Sequence, residues 1–232
     1  MRPQTHVPLS AILLIVGAVL CFTLLDATVK ALADRYPIPL LVWARYAVQL
    51  LVILLWLLPR MGVGLLRTPR FRLQFVRAAI LPLSSLCFFS ALRYLPLAEA
   101  TAINYATPVL VIILAVLFLG ERMTRPRIAL VLAGIAGMFL IVRPGSVVFQ
   151  GAALLALGSA VFYGTFQILT RTLAGEDSRV LLFYPALVGT LMMTALLPWL
   201  GIGFEMPWTD VVVITVAGLL GTIGHFMFIL AF

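Results

Sequence analysis

The chain has 232 residues, 63% of them hydrophobic and only 10% charged, and its 16 Lys and Arg against 8 Asp and Glu give a formal net charge of +8. A soluble domain carries roughly 25% charged residues, so the composition excludes an ordinary soluble enzyme or nucleic-acid-binding module. The apolar residues gather instead in blocks of about 20, the length that crosses about 30 Å of hydrocarbon as a helix.

Eight such blocks follow in chain order: residues 9 to 32, 38 to 58, 72 to 93, 98 to 119, 126 to 142, 150 to 172, 180 to 200 and 209 to 232. Pro37, Pro39, Pro59, Pro69, Pro96, Gly120, Pro126, Pro144, Gly145, Gly175, Gly201 and Pro207 punctuate them. The connections are mostly short, so neighbouring segments are predicted to run antiparallel. The segments are apolar all round rather than alternating, which argues against a β-barrel. The expected fold class is therefore all-α, a polytopic membrane helix bundle.

The first segment ends in "LLDATVK", which places Asp26 and Lys30 at or inside the hydrocarbon edge. A charge there costs roughly 2.5 to 3.5 kcal/mol even on the mildest scale. Arg45 in the second segment lies about as far after the turn at Arg35 and Tyr36 as Asp26 lies before it. Asp26 is thus expected to pair with Arg45, or with Lys30 one helical turn along. Either the three form a neutralised structural clamp, with Lys30 snorkelling to the interface, or they border the mouth of a cavity and meet a polar substrate or a coupling proton.

In the fourth segment Thr101, Asn104, Tyr105 and Pro108 follow an i, i+3, i+4, i+7 spacing and share one helix face. Pro108 would free the carbonyl of Asn104 deep in the membrane. The stripe is either a cavity wall or interhelical glue. Glu99 near the start of that segment suits the positive end of the helix, while Glu121 at its end sits beside Arg122 and Arg125 and reads as structural. Gly134 and Gly137, with Ala133 and Ala136, give the fifth segment a thin face suited to close packing. Tyr163 and Gln167 are spaced i, i+4 in the sixth, and His225 stands alone in the eighth. That histidine is either a proton-coupling group or a plain hydrogen-bonding partner.

Ten basic residues fall in loops on the side of the N-terminus, among them Arg60, Arg67, Arg70 and Arg72, against Lys30, Arg35, Arg93 and Arg143 on the other. This bias predicts a cytoplasmic N-terminus. It also assigns the basic balance to topology and lipid rather than to nucleic acid. Cys21 and Cys87 lie in apolar spans, and His6 and His225 are the only histidines. No metal or cofactor is expected, and no nucleophile-and-base motif or phosphate loop points to an enzyme.

Sliding the chain against itself by about 140 residues aligns residues 11 to 33 with 152 to 174, so that Gly17 meets Gly158, Asp26 meets Gln167 and Lys30 meets Arg171. With the same shift the second segment faces the seventh, and "SSLCFFSAL" faces "GHFMFILAF", which sets His225 opposite Ser85. Five spans separate equivalent positions, and an odd number inverts the second copy in the membrane, a transporter signature. The expected division is residues 1–145, a first repeat of five helices, and 146–232, an incomplete second repeat of three. The chain reads as lacking two helices that would complete the symmetry.

The stretch "ALRYLPLAEATAINYATPVLVIILAVLFLGERMTRPRIALVLAGIAGMFLIVRPG", with its "LPLAEATA" entry, Pro108 in mid-helix and the "LGE" ending at Glu121, resembles the fourth and fifth helices of EamA-type domains of the drug/metabolite transporter superfamily. "DATVKALADRYPIPLLVWARY" is similar to the first hairpin of many bacterial members. The resemblance implies ten helices in two inverted five-helix repeats around a cavity, in the bacterial inner membrane. It implies a secondary active transporter, an exporter or exchanger of small polar metabolites such as amino acids, whose partners are that substrate and the lipid bilayer. The other reading is a lipid-carrier flippase or an accessory subunit of the same fold, and some short relatives act as homodimers. Ser85, Thr101, Asn104, Tyr105, Pro108, Tyr163, Gln167 and His225 join Asp26, Lys30 and Arg45 as candidate cavity residues.

Overall fold

The computed structural model describes residues 9–120, 124–141, 147–200 and 206–230. Nine helices account for most of them: α1 (Leu9–Leu32), α2 (Ile38–Met61), α3 (Phe71–Tyr94), α4 (Leu97–Asn104), α5 (Thr107–Leu119), α6 (Arg125–Ile141), α7 (Val147–Thr172), α8 (Ser178–Leu196) and α9 (Trp208–Leu230). Hydrocarbon offers no partner to a free backbone amide or carbonyl, so helices that satisfy these groups within themselves are the form such segments take.

Proline and glycine set the boundaries. Pro37 precedes α2 and Pro39 lies in its first turn, where the missing N–H would have had no helical partner. Gly120 ends α5 at φ 65°, in the left-handed region, which a residue without Cβ enters freely. Asp177 caps α8, its carboxylate accepting from the Arg179 amide at 2.9 Å.

Among the described residues, seven spans are long and apolar enough to cross a bilayer, with α4 and α5 together forming one of them. The remaining expected segment, the fifth, is α6, whose 17 described residues cover about 26 Å. The fourth segment also departs from the continuous helix that its spacing predicts, for it breaks at Tyr105 and Ala106. Proline brings the cause: Pro108 sits in the first turn of α5 and cannot donate to the carbonyl one turn back.

The bundle is built on pairs. α1 packs along α9 and α3 along α7, while α2 lies against α8 and α9, and α8 against α3. Under the 140-residue shift these pairs exchange with one another: α1 with α9 becomes α7 with α3, and α2 with α9 becomes α8 with α3. Side chains follow the same rule. A Cβ added to Gly158 would lie 3.9 Å from Cys87 Sγ, and one added to Gly17 would run into Met227, the residue equivalent to Cys87.

Small residues let the central helices approach closely, the usual basis of helix packing in lipid. A Cβ on Gly189 would stand 2.7 Å from the Tyr46 ring, and one on Gly218 would stand 2.7 Å from Val48. Val42, Tyr46, Phe89, Leu92, Ala156 and Met193 are buried in the largest cluster there. Leu55, Leu117, Phe118 and Leu140 face outward, where acyl chains are as apolar as leucine. The thin face expected of α6 is not used in this way among the described residues. Gly134 comes within reach of Val109 only at 3.9 Å, and nothing lies within 4 Å of a Cβ at Gly137.

Candidate functional site

The helices leave a cavity of about 330 Å³, walled by α1, α2, α3, α4, α5, α7 and α9. Ten of the eleven candidate residues lie on its wall: Asp26, Arg45, Ser85, Thr101, Asn104, Tyr105, Pro108, Tyr163, Gln167 and His225. Lys30 does not. Its ammonium donates to the Leu92 carbonyl at 2.6 Å, tying α1 to α3 away from the cavity.

Asp26 makes no salt bridge with either expected base among the described residues, although Arg45 lies close enough to act on its carboxyl through charge. Equal depth in a hairpin fixes height but not rotation about the helix axis, and Arg45 is drawn to α3 instead. Its Nη1 donates to Ser85 Oγ at 3.0 Å, and its guanidinium stands 5.8 Å from the Phe89 ring centre. Ser85 Oγ also shares a hydrogen bond of 2.9 Å with Tyr46 Oη. Both Tyr46 and Ser85 are buried, so the serine holds the arginine from a rigid anchor. Arg45 Nε is buried with no partner.

The Asn104 carbonyl freed by the helix break is taken up locally, since Thr107 Oγ1 donates to it at 2.7 Å. The atom left over is Asn104 Oδ1, buried and unpartnered. His225 Nδ1 lies 2.9 Å from the Gly221 carbonyl in its own helix, and its ring meets Phe22 edge-on at 5.0 Å. Glu99 lies in the first turn of α4, off the cavity. Glu121 lies outside the described residues.

Several wall residues escape a search for polar outliers. Phe22, Phe88, Phe89 and Phe228 line the cavity but look in sequence like any other apolar residue of a span. Ser84 and Ser159 also line it, with Ser84 Oγ 3.0 Å from Ser159 Oγ and donating to the Ser159 carbonyl at 3.1 Å. Ser84 stands beside Ser85 in a quoted motif, which was the available signal.

An apolar helical bundle with a cavity that gathers a carboxyl, a guanidinium, an imidazole and aromatic rings has the build of a membrane carrier. The EamA-like transporter family model matches residues 9–143, and the chain belongs to that family. It is a small-molecule transporter of the bacterial inner membrane, not an enzyme. The pseudopaline exporter CntI of Pseudomonas aeruginosa is 32% identical over 92% of this chain and 76% of its own. A riboflavin transporter of Brucella anthropi is 29% identical over 67% of this chain and 55% of its own, and an S-adenosylmethionine uptake transporter of Rickettsia conorii 26% over 55% and 44%. A solved crystal structure with 24% identity superposes with a TM-score of 0.72 over 94% of this chain and 77% of that one, a likeness of fold.

Proposed function

We propose that this chain exports or exchanges small polar metabolites such as amino acids by alternating access, between two inverted repeats at residues 1–145 and 146–232, with the N-terminus in the cytoplasm. The observation that carries this reading is the pair of buried, unpartnered atoms at the cavity, the acceptor Asn104 Oδ1 and the donor Arg45 Nε. A buried polar atom without a partner costs roughly 1 to 3 kcal/mol. A ligand with both a donor and an acceptor removes that cost. Asp26 adds a carboxyl and Arg45 a guanidinium to the wall, which favours a polar molecule with groups for both over an acyl chain.

The relatives are named as an exporter of pseudopaline, a transporter of riboflavin and an uptake transporter of S-adenosylmethionine, so the panel must be broad. Inside-out and right-side-out vesicles are assayed with amino acids, pseudopaline, riboflavin and S-adenosylmethionine. Accumulation of one compound is expected, lost in Asp26→Asn with membrane insertion intact. Full activity in that variant removes Asp26 from the mechanism.

A further inference from the structure

The two ends of the bundle are tied at equivalent corners by side chains of exchanged charge. On the side of the α1–α2 turn, Tyr36 Oη donates to Asp210 Oδ2 at 2.6 Å, and Arg35 Nη1 stands 3.9 Å from the same oxygen. Asp210 belongs to the first turn of α9. On the side of the α7–α8 turn, Thr68 Oγ1 donates to Glu176 Oε2 at 2.7 Å, and Arg70 Nη1, at the start of α3, donates to the Thr172 carbonyl at 2.9 Å.

The repeat shift brings Arg35 onto Glu176 and Asp210 onto Arg70. One corner therefore has its base on the turn and its acid on the entering helix; the other has the acid on the turn and the base on the helix. Symmetry alone does not require that exchange. It keeps a basic residue off the helix start on one side and supplies one on the other, so the two ties are adjustable separately.

The ties are also of unequal strength. Arg35 is 70% exposed along its side chain and adds little, which leaves the Tyr36 to Asp210 hydrogen bond as the stronger member of that corner. The opposite tie has a deeper member. Arg77, buried in α3, donates to Thr170 Oγ1 at 2.7 Å, to Gln74 Oε1 at 2.9 Å and to the Leu181 carbonyl at 3.1 Å, with Phe166 4.5 Å beneath it. It joins α3, α7 and α8 at once. Its repeat equivalent is Ala217, whose methyl group offers no hydrogen bond, and a small void flanks Ala217 and Gly218 instead.

We propose that Tyr36 with Asp210 and Thr68 with Glu176, the latter backed by Arg77, are the two barriers that open in turn, and that the Tyr36 to Asp210 tie is the one that yields first. None of these residues lines the cavity, so they set which side opens without touching the cargo. The proposal rests on the alternating-access reading for the purpose of the motion, but its test needs no substrate.

The test places one reporter thiol at Thr101→Cys, with Cys21 and Cys87 replaced by Ala, and measures labelling by a membrane-impermeant maleimide applied to each face of oriented vesicles. Tyr36→Phe with Asp210→Asn is expected to speed labelling from the α1–α2 turn side roughly tenfold, the value of one hydrogen bond to a charged group, and to slow it from the other. Thr68→Val with Glu176→Gln is expected to do the reverse, and Arg77→Lys, which keeps the charge and loses the three-helix fork, to push further the same way. Chromatographic profile and melting point verify that each variant is folded. Opposite shifts in the labelling ratio uphold the proposal even if no panel compound moves, an outcome that would count against the transport reading alone. Shifts in one common direction, or an unchanged ratio in folded variants, overturn it.

Discussion

At the residue scale the cavity depends on Ser85. It accepts from Arg45 and bonds with Tyr46, a tyrosine with no exposed surface. Ser85→Ala therefore removes a hydrogen bond from both and is expected to lower stability by about 1 to 3 kcal/mol. It also releases Arg45, so transport affinity should fall along with the melting temperature; a variant that melts as the parent does contradicts this account. Outside the membrane, Asp177 is simpler. The Arg179 side chain and then its amide hold the Asp177 carboxyl below its usual range. A depressed carboxylate contributes stability above its unfolded value and loses it as pH falls through the folded one. Asp177→Ala should cost about 1 kcal/mol as a lost helix cap, and the gap between variant and parent should close in acid, as melting curves at neutral and acidic pH would display.

At the element scale the sequence was informative about which segments are helices and less so about their interruptions and rotations. Blocks of apolar residues about 20 long identify the spans because hydrocarbon thickness demands that length. A break is harder to read: Pro108 signals one, but its position two residues earlier depends on Thr107 capturing the Asn104 carbonyl. Thr107→Val keeps the shape and loses that bond, so the joint between α4 and α5 is expected to loosen, with faster amide exchange at residues 104–107 and reduced transport. Unchanged exchange there would place the control of the break elsewhere. Polar residues inside spans were visible for the same reason that they are costly in lipid, and most of them meet at one cavity. Rotation was not visible, which is why Lys30 faces Leu92 rather than Asp26. Glycine contacts were legible only in part: α6 looked suited to close packing and is open at Gly137, whereas Gly218 lies against Val48. Gly218→Val should therefore separate α2 from α9 and cost about 1 to 3 kcal/mol as overpacking, while Gly137→Val should melt as the parent does.

At the scale of the whole molecule the pairs matter more than the single helices. α3 with α7 and α1 with α9 make the extended contacts, and α1 touches α4 only lightly. If the cavity opens by moving the middle of one pair against the other, links halfway along a pair, unlike the ties at its ends, should be harmless and links across the cavity should not. Gly158→Cys offers the first kind with a single substitution, because a Cβ at Gly158 lies 3.9 Å from the native Cys87 Sγ, and neither residue is on the cavity wall. With Cys21 replaced by Ala, oxidation is expected to join α3 to α7 and leave transport near the reduced level. Gly17→Cys with Met227→Cys, in a background lacking Cys21 and Cys87, should behave alike by the repeat symmetry. A crosslinker joining Thr23→Cys on α1 to Thr101→Cys on α4 spans the cavity and should stop transport until it is cleaved. Loss of transport on oxidising the Gly158 variant, restored by reductant, would mean that α3 slides on α7 and that the moving bodies are not these pairs.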